Sequence, residues 1–470
     1  MGTPEVDVDV VVIGSGAAGL CAALAAREAG AAQVLVAEAE GVIGGSSRLS
    51  GGLIMGAGTR YQRALGIEDD ADALFHDYLT VNRWNVDAGV VRRLADLAGP
   101  TVDWLGDLGV EFAGQLVFGG DERVPRVHVP VGRGAGVVEV LTRHVREAGV
   151  DVALGRRVDR LLVEDGAVVG VAVADDEIRA GAVVIASGGF ANSPELLRQH
   201  FPSAAGTGNA WYIGADGARG DALRLAEQVD AQMIGHDRGL RLLHTGFAKI
   251  YEAYLPGWLM LVNQSGHRFC DETAPYGMMD FLVREQGDRV FALLDHAVLE
   301  ATALGSARYK QLIPGAKNRS PHWNLDVIEQ MVAEGRVIRA DTLEEVAERL
   351  GLPTRSVSGA VRRYNTHVAT GRDADFAKDA KFLEPLSTPP FYGVEMRPST
   401  VCFTAYGLRI DSQARVLDNA GQAIPGLFAA GECTGGVVGA QYVGSGNSYA
   451  NCTVFGRIAG LAAAGLAISR

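Results

Sequence analysis

Cysteine is scarce in this sequence and badly placed for holding a redox group. The five residues Cys21, Cys270, Cys402, Cys433 and Cys452 are scattered over 470 positions and form neither a C-x-x-C pair nor a C-x-x-C-H haem site. That argues against iron–sulfur, haem and other metal centres, so no metal is expected and electrons must leave through a diffusible acceptor or oxygen. Long apolar runs are also missing. No stretch of about 18 apolar residues occurs, and the Ala/Leu-rich stretch Ile458 to Ile468 is short and interrupted by glycine, which predicts a packed helix and no membrane span. A basic block is lacking as well: the net charge of −13 is spread along the chain, against nucleic-acid binding and adsorption to anionic lipid. No cationic, cleavable leader precedes the first apolar strand, only a short stretch with Glu5 and Asp7, so the expected location is cytoplasmic.

With 48% hydrophobic residues, 470 positions can bury more than one core, and two domains are expected. Residues 8–38 read as strand, turn, helix, strand. Val8 to Ile13 is followed by Gly14-Ser15-Gly16-Ala17-Ala18-Gly19, an Ala-rich helix to about Ala29, and Val34 to Glu38. Gly14 allows the tight turn, Gly16 a close approach of backbone to a pyrophosphate, and Gly19 close packing of helix on strand; the N–H groups opening the helix, from Ala17 and Ala18 on, face the phosphates. Glu38 ends the second strand, where its carboxylate can accept from unphosphorylated ribose hydroxyls, as in FAD or NAD.

A second glycine-rich stretch follows at once, Gly44-Gly45-Ser46-Ser47-Arg48-Leu49-Ser50-Gly51-Gly52. Such a stretch can run beside an isoalloxazine and a pyrophosphate, which favours FAD. Val183 to Phe190, carrying Ala186 and Gly188, is an apolar strand ending in a small-residue turn, and Gly426 to Glu432, with Gly431, repeats the plan. These motifs resemble those of the FAD-dependent fumarate reductase/succinate dehydrogenase flavoprotein superfamily, and most closely its 3-ketosteroid dehydrogenases. The resemblance spans the whole chain. It implies an α/β fold: a Rossmann-like FAD-binding domain split in sequence (1–232 and 388–470), with an inserted α+β capping or substrate domain at 233–387. By resemblance Glu432 meets the flavin ribitol, Asn447 and Ser448 lie near its pyrimidine edge, and Val158 reaches the adenine region. In the insert, Thr342-x-x-Glu345 predicts a capped helix with Leu343, Val346, Ala347 and Leu350 on its packed face. No histidine occurs between Gly44 and Gly52, where respiratory relatives tether their flavin, so a non-covalent FAD is expected.

The pattern of the fumarate-reducing members breaks at two arginines. Tyr276 falls where their acid arginine lies, and Tyr442 where an arginine clamps the substrate carboxylate. A histidine expected before the Gly407-Leu408 turn is replaced by Phe403. Exchanging guanidinium for phenol removes a permanent cation and its bidentate fork, so a dicarboxylate loses its anchors. Two phenols suit a neutral ketone: one can polarise the carbonyl while the other takes the proton alpha to it. Ketosteroid dehydrogenases hold the ketone with a C-terminal tyrosine and the N–H of a glycine four residues later, and Tyr442 and Gly446 have that spacing. The expected chemistry is α,β-desaturation of a cyclic ketone, a 3-ketosteroid or a smaller cyclohexanone. The alpha proton goes to Tyr276 and the beta hydride to flavin N5. An enone or enoate reductase is the alternative, and a non-catalytic flavin subunit a third. His236, His244 and Tyr406 are lesser candidates, Arg268 is expected to support its loop, and Arg241 is held in reserve as a further cation.

Overall fold

The computed structural model describes residues 6–303 and 320–469. It divides into two compact units, one of residues 1–205, 212–240 and 402–470, the other of 206–211 and 241–401. The long strand Phe391–Thr404 runs through the second unit's sheet, and its last residues, from Cys402, belong to the first unit.

The first unit is built on a mixed sheet with a parallel centre. Strand β1 (Val8–Ile13) pairs in parallel with β2 (Val34–Ala37) on one side and with Asp176–Ile185 on the other. The full path runs Arg415–Leu417, Ala423–Ala429, Asp176–Ile185, β1, β2, Asp151–Ala153, and a hairpin, Arg160–Glu164 and Ala167–Val173, joins at Asp176–Ile185. The valine-rich centre of β1 is buried on both faces, as parallel strands covered by helices require. Helix α1 (Ala17–Glu28) is buried from Ala17 through Ala26. Its small side chains let the C-terminal helix Asn447–Ser469 lie against it at backbone contact: a Cβ on Gly456 would sit 2.4 Å from Ala18 O, and one on Gly460 2.1 Å from Ala22 O. That C-terminal helix starts well before the expected Ile458. Among the described residues it is also the one helix long and apolar enough to cross a membrane, and much of its apolar surface is buried in this core.

The second unit carries a sheet in the order Gly239–His244, Phe391–Thr404, Val290–Asp295, Met260–Val262. Its central strands alternate between two cores. Leu261, Ala292 and Leu294 meet Met279, Val283 and Ile328 on one face, and Met260, Val262, Phe291 and Leu293 meet Val346, Val357 and Tyr364 on the other. The capped helix forms as expected at Leu343–Arg349: Thr342 Oγ1 accepts from Glu345 N–H at 3.2 Å, and Val346 and Ala347 are buried. The architecture is α/β, and Arg268 is the loop support it was read as, held between Glu272 (2.9 Å) and Asp373 (2.8 Å).

Candidate active site

A groove opens along the carboxyl ends of the first unit's parallel strands, where ligands bind in open α/β sheets. It gathers Gly14, Gly16, Ala17, Ala18, Glu38, Gly45, Ser46, Ser47, Val158, Ala186, Gly188 and Glu432. Gly14 has φ +103°, and a Cβ there would stand 2.5 Å from Ala186 O, so only glycine makes this turn. Built Cβ atoms on Gly45 and Gly188 meet nothing within 4 Å, and one on Gly16 meets nothing closer than Ser47 Oγ at 3.5 Å. The floor is therefore backbone and open space, a cradle that side chains would fill and that a dinucleotide fits. The opening of α1 faces this space, and its Ala17 N–H is satisfied by Ser47 Oγ at 3.0 Å.

Gly44 to Gly52 is not a plain loop. Gly44 (φ +117°) and Gly45 (φ +45°) turn the chain into a short helix, α2 (Gly45–Leu49), which aims Ser46 and Ser47 into the groove. Ser50, Gly51 and Gly52 lie beyond it and do not line the groove: Ser50 Oγ caps Ser47 O and Gly52 N–H, and a Cβ on Gly52 would strike Gly134 N at 2.4 Å. Gly19 and Gly431 also stay outside, packed respectively on Gly14 O and the Ala18 side chain. Glu38, which lines the groove, takes Ser15 N–H (2.8 Å), Ser15 Oγ (2.5 Å) and Glu40 N–H (2.7 Å), so its carboxylate is fixed by backbone and side chain together.

Glu432 accepts from Thr404 N–H at 3.0 Å and Thr404 Oγ at 3.2 Å, and burial pushes its carboxyl up to about 7. Several lining residues escaped the sequence reading: Glu40, Arg156, Arg157, Ser187, Gly217 and Asp221. The run Asp216-Gly217-Ala218-Arg219-Gly220-Asp221 was the signal that could have found two of them.

Tyr442, Gly446, Asn447 and Ser448 sit together where the segment 435–446 enters the C-terminal helix. Tyr442 is buried, its ring 5.1 Å from Phe403, and its oxygen accepts from Ser448 N–H (3.4 Å) and Ser448 Oγ (3.3 Å). Gly446 has φ +86°, and a Cβ would lie 2.6 Å from Met55 N. Its own carbonyl receives Met55 N–H at 3.1 Å. The residue is buried, and its N–H makes no hydrogen bond among the described residues. Ser445 N–H to Gly119 O (2.8 Å) and Gln441 N–H to Asn82 Oδ1 (2.7 Å) hold the segment from two further sides.

Tyr276 belongs to the second unit. It is the first residue of the helix Tyr276–Glu285, half-buried, with its ring edge-on to Tyr254 at 5.2 Å. The reserve cations are spoken for: Arg241 is buried between Asp280 (2.8 Å) and Asp288 (2.9 Å), and Arg268 is ion-paired as described. His244 is buried on Ile250 O (3.2 Å) beside His322, and desolvation lowers it to about 4, so it is neutral at physiological pH. His236 bonds Gln199 O at 3.1 Å, and Tyr406 stacks on His200 at 4.5 Å.

Residues 9–449 match a family described as FAD binding domain. The chain is 31% identical to the fumarate reductase (cytochrome) of Shewanella frigidimarina, over 98% of this chain and 78% of that protein. It is 30% identical to the vinyl phenol reductase of Lactiplantibacillus plantarum, over 92% and 91% respectively. Among solved structures it superposes on a 3-ketosteroid-delta4-(5alpha)-dehydrogenase from Rhodococcus jostii in complex with 4-androstene-3,17-dione, with TM-score 0.79, 26% identity and 98% of each chain covered.

Proposed function

Because the chain belongs to the FAD binding domain family and is an FAD-dependent oxidoreductase acting on C=C or CH–CH bonds, we propose that it desaturates a cyclic ketone between the alpha and beta carbons. Bound FAD supplies the hydride acceptor, and the residues of the groove hold it without a covalent tether. Tyr442 O–H and Gly446 N–H receive the carbonyl oxygen, and Tyr276 takes the alpha proton as the enolate forms. The single observation that carries this reading is the buried Gly446 N–H that lacks an acceptor, beside a phenol whose oxygen already accepts two hydrogen bonds. Donors into a hydroxyl oxygen make its own O–H a stronger donor. Both phenols also stand at helix N-termini. Tyr276 opens Tyr276–Glu285, where side chains lean toward the helix's positive end, and Tyr442 is bonded to Ser448 in the first turn of Asn447–Ser469. A helix end favours negative charge by up to about 2 kcal/mol in buried settings, on an enolate oxygen as on a phenolate.

Charge supports a neutral substrate over a dicarboxylate. Arg241 and Arg268, the two cations considered for an anionic group, are each already neutralised by two carboxylates. A second reading has its own support, since the relatives named above by sequence are reductases: the same residues run the reaction backwards on an enone. The test is anaerobic mixing of the yellow protein with steroid and monocyclic ketones while following flavin absorbance. Bleaching by a saturated ketone is expected; bleaching by none, together with reoxidation of the chemically reduced protein by an enone or by fumarate, would transfer the assignment to the reductase.

A further inference from the structure

The helix Ala71–Val81 lies along the first unit with Leu74 and Tyr78 as its buried stripe, four residues apart on one face. It starts at the Asp70 side chain, which accepts Ala73 N–H at 2.8 Å, and stops at Asn82, after which Arg83 (φ +50°) and Trp84 (φ +58°) turn the chain away. Its last turn braces the segment that carries Tyr442. Asn82 Nδ2 bonds Tyr78 O at 3.1 Å while Asn82 Oδ1 accepts Gln441 N–H. Tyr78 itself is 1% exposed, and its O–H donates to Asn447 Oδ1. Burial, with a smaller contribution from Tyr442, holds the Tyr78 phenol well above its ordinary range, so Tyr78 stays protonated and remains a donor.

The other half of that amide is left over. Asn447 is also 1% exposed, and its Nδ2 has no hydrogen-bond partner. A buried amide donor without an acceptor costs about 1–3 kcal/mol, and a free amide would rotate to relieve it. Tyr78 opposes that rotation: its O–H is donated to the carbonyl end of the amide, which leaves the NH₂ end pointing away from it. Two unsatisfied buried donors therefore stand one residue apart, Gly446 N–H and Asn447 Nδ2, at the mouth of one helix.

We propose that Tyr78 is a positioning residue that locks the Asn447 amide so that Nδ2 donates to a carbonyl oxygen of a bound molecule. The acceptor chemistry is shared by two sources, a ring carbonyl of the cofactor and the carbonyl of a substrate. Only the substrate source rests on the ketone reading.

Tyr78→Phe keeps the ring and deletes the hydroxyl, and Asn447→Ala deletes the amide. Both are combined in a double-mutant cycle on the full-length protein. One arm measures FAD dissociation from the holoprotein and the position of its visible absorption bands. The other measures the affinity of the holoprotein for 4-nitrophenol, a mimic of an enolate oxygen, by its charge-transfer absorbance. If the cofactor is the acceptor, Tyr78→Phe should raise the FAD dissociation constant about tenfold and shift the flavin bands. If the substrate is, FAD is retained and 4-nitrophenol binding weakens about tenfold. In either case the effect should vanish in the Asn447→Ala background, because Tyr78 acts through that amide. Equal losses in both backgrounds, or no change in either arm, would overturn the proposal. Near-ultraviolet circular dichroism of the Tyr78→Phe apoprotein, expected unchanged, separates positioning from a packing defect: a collapsed spectrum counts against the proposal. A failed ketone reading leaves the FAD arm intact.

Discussion

The raised carboxyl of Glu432 makes cofactor binding pH-dependent, with a sign that follows from the structure. In the cofactor-free protein this group titrates at about 7, because burial opposes the charged form more than the two bonds from Thr404 favour it. A ligand whose hydroxyls donate to the carboxylate binds the ionised form better and lowers its pKa. Binding then expels a proton. The affinity is therefore complete above about pH 7 and is lost as pH falls through that value, approaching tenfold per unit until the bound-state pKa is reached. For a group titrating at 7, the ionised fraction falls from about three-quarters at pH 7.5 to about one-thirtieth at pH 5.5, so FAD should bind about 25-fold more weakly at the lower pH. Titration of apoprotein with FAD, followed by quenching of flavin fluorescence at pH 5.5, 6.5, 7.5 and 8.5, reads this directly. In Glu432→Gln the steep limb should disappear while the affinity at pH 7.5 falls. A flat wild-type profile, or an unchanged slope in Glu432→Gln, would refute the assignment of this carboxylate to the cofactor.

Acid precipitation should release the yellow colour into the supernatant, and colour retained by the pellet would show a covalent link. Tyr442→Phe and Tyr276→Phe should keep FAD yet slow ketone turnover by about 10²- to 10⁴-fold, as expected for loss of a carbonyl donor or a proton acceptor. Loss of solvent exchange at the alpha carbon should be confined to the Tyr276 variant, and near wild-type rates in both would discard the ketone site. Gly446→Ala forces a Cβ to within 2.6 Å of Met55 N at φ +86°, so it should cost about 1–3 kcal/mol of stability in urea unfolding even with FAD absent; an unchanged midpoint would mean the segment shifts freely.

The dinucleotide half of the fold was legible because its signals are local. A valine-rich strand, three glycines at fixed spacing and an alanine-rich helix specify β1, the turn and α1 within about thirty residues, and the structure follows them to within a residue or two. The second unit's sheet was not legible. Met260–Val262 and Val290–Asp295 are buried on both faces, so they read as short apolar runs without the alternation that separates strand from helix. Gly44 to Gly52 differs in another way: a glycine-rich composition carries no helix signal, yet two positive φ angles start α2, and Ser50 and Gly52 beyond it pack against Gly134.

The site divided along the same line. Residues whose expected role depends on neighbours in sequence, such as Gly14, Ser46, Ser47 and Glu432, line one groove. Tyr78 was invisible because nothing near it in the chain gives it a role. In its own helix it is half of a two-residue apolar stripe, indistinguishable from core, and its partner Asn447 lies at the other end of the sequence. The same holds for the leftover donors. That Gly446 N–H and Asn447 Nδ2 lack acceptors depends on Met55, Gly119 and Tyr78 having taken the neighbouring groups, and a one-dimensional pattern carries no record of which hydrogen bonds remain unmade. Unsatisfied buried donors cost stability, and each calls for an explanation, of which a ligand acceptor is one. Gly446 N–H and Asn447 Nδ2 are one residue apart at the start of the C-terminal helix, and that pairing supports the proposal of carbonyl recognition there more than either tyrosine does alone, since a buried tyrosine is equally at home in a core.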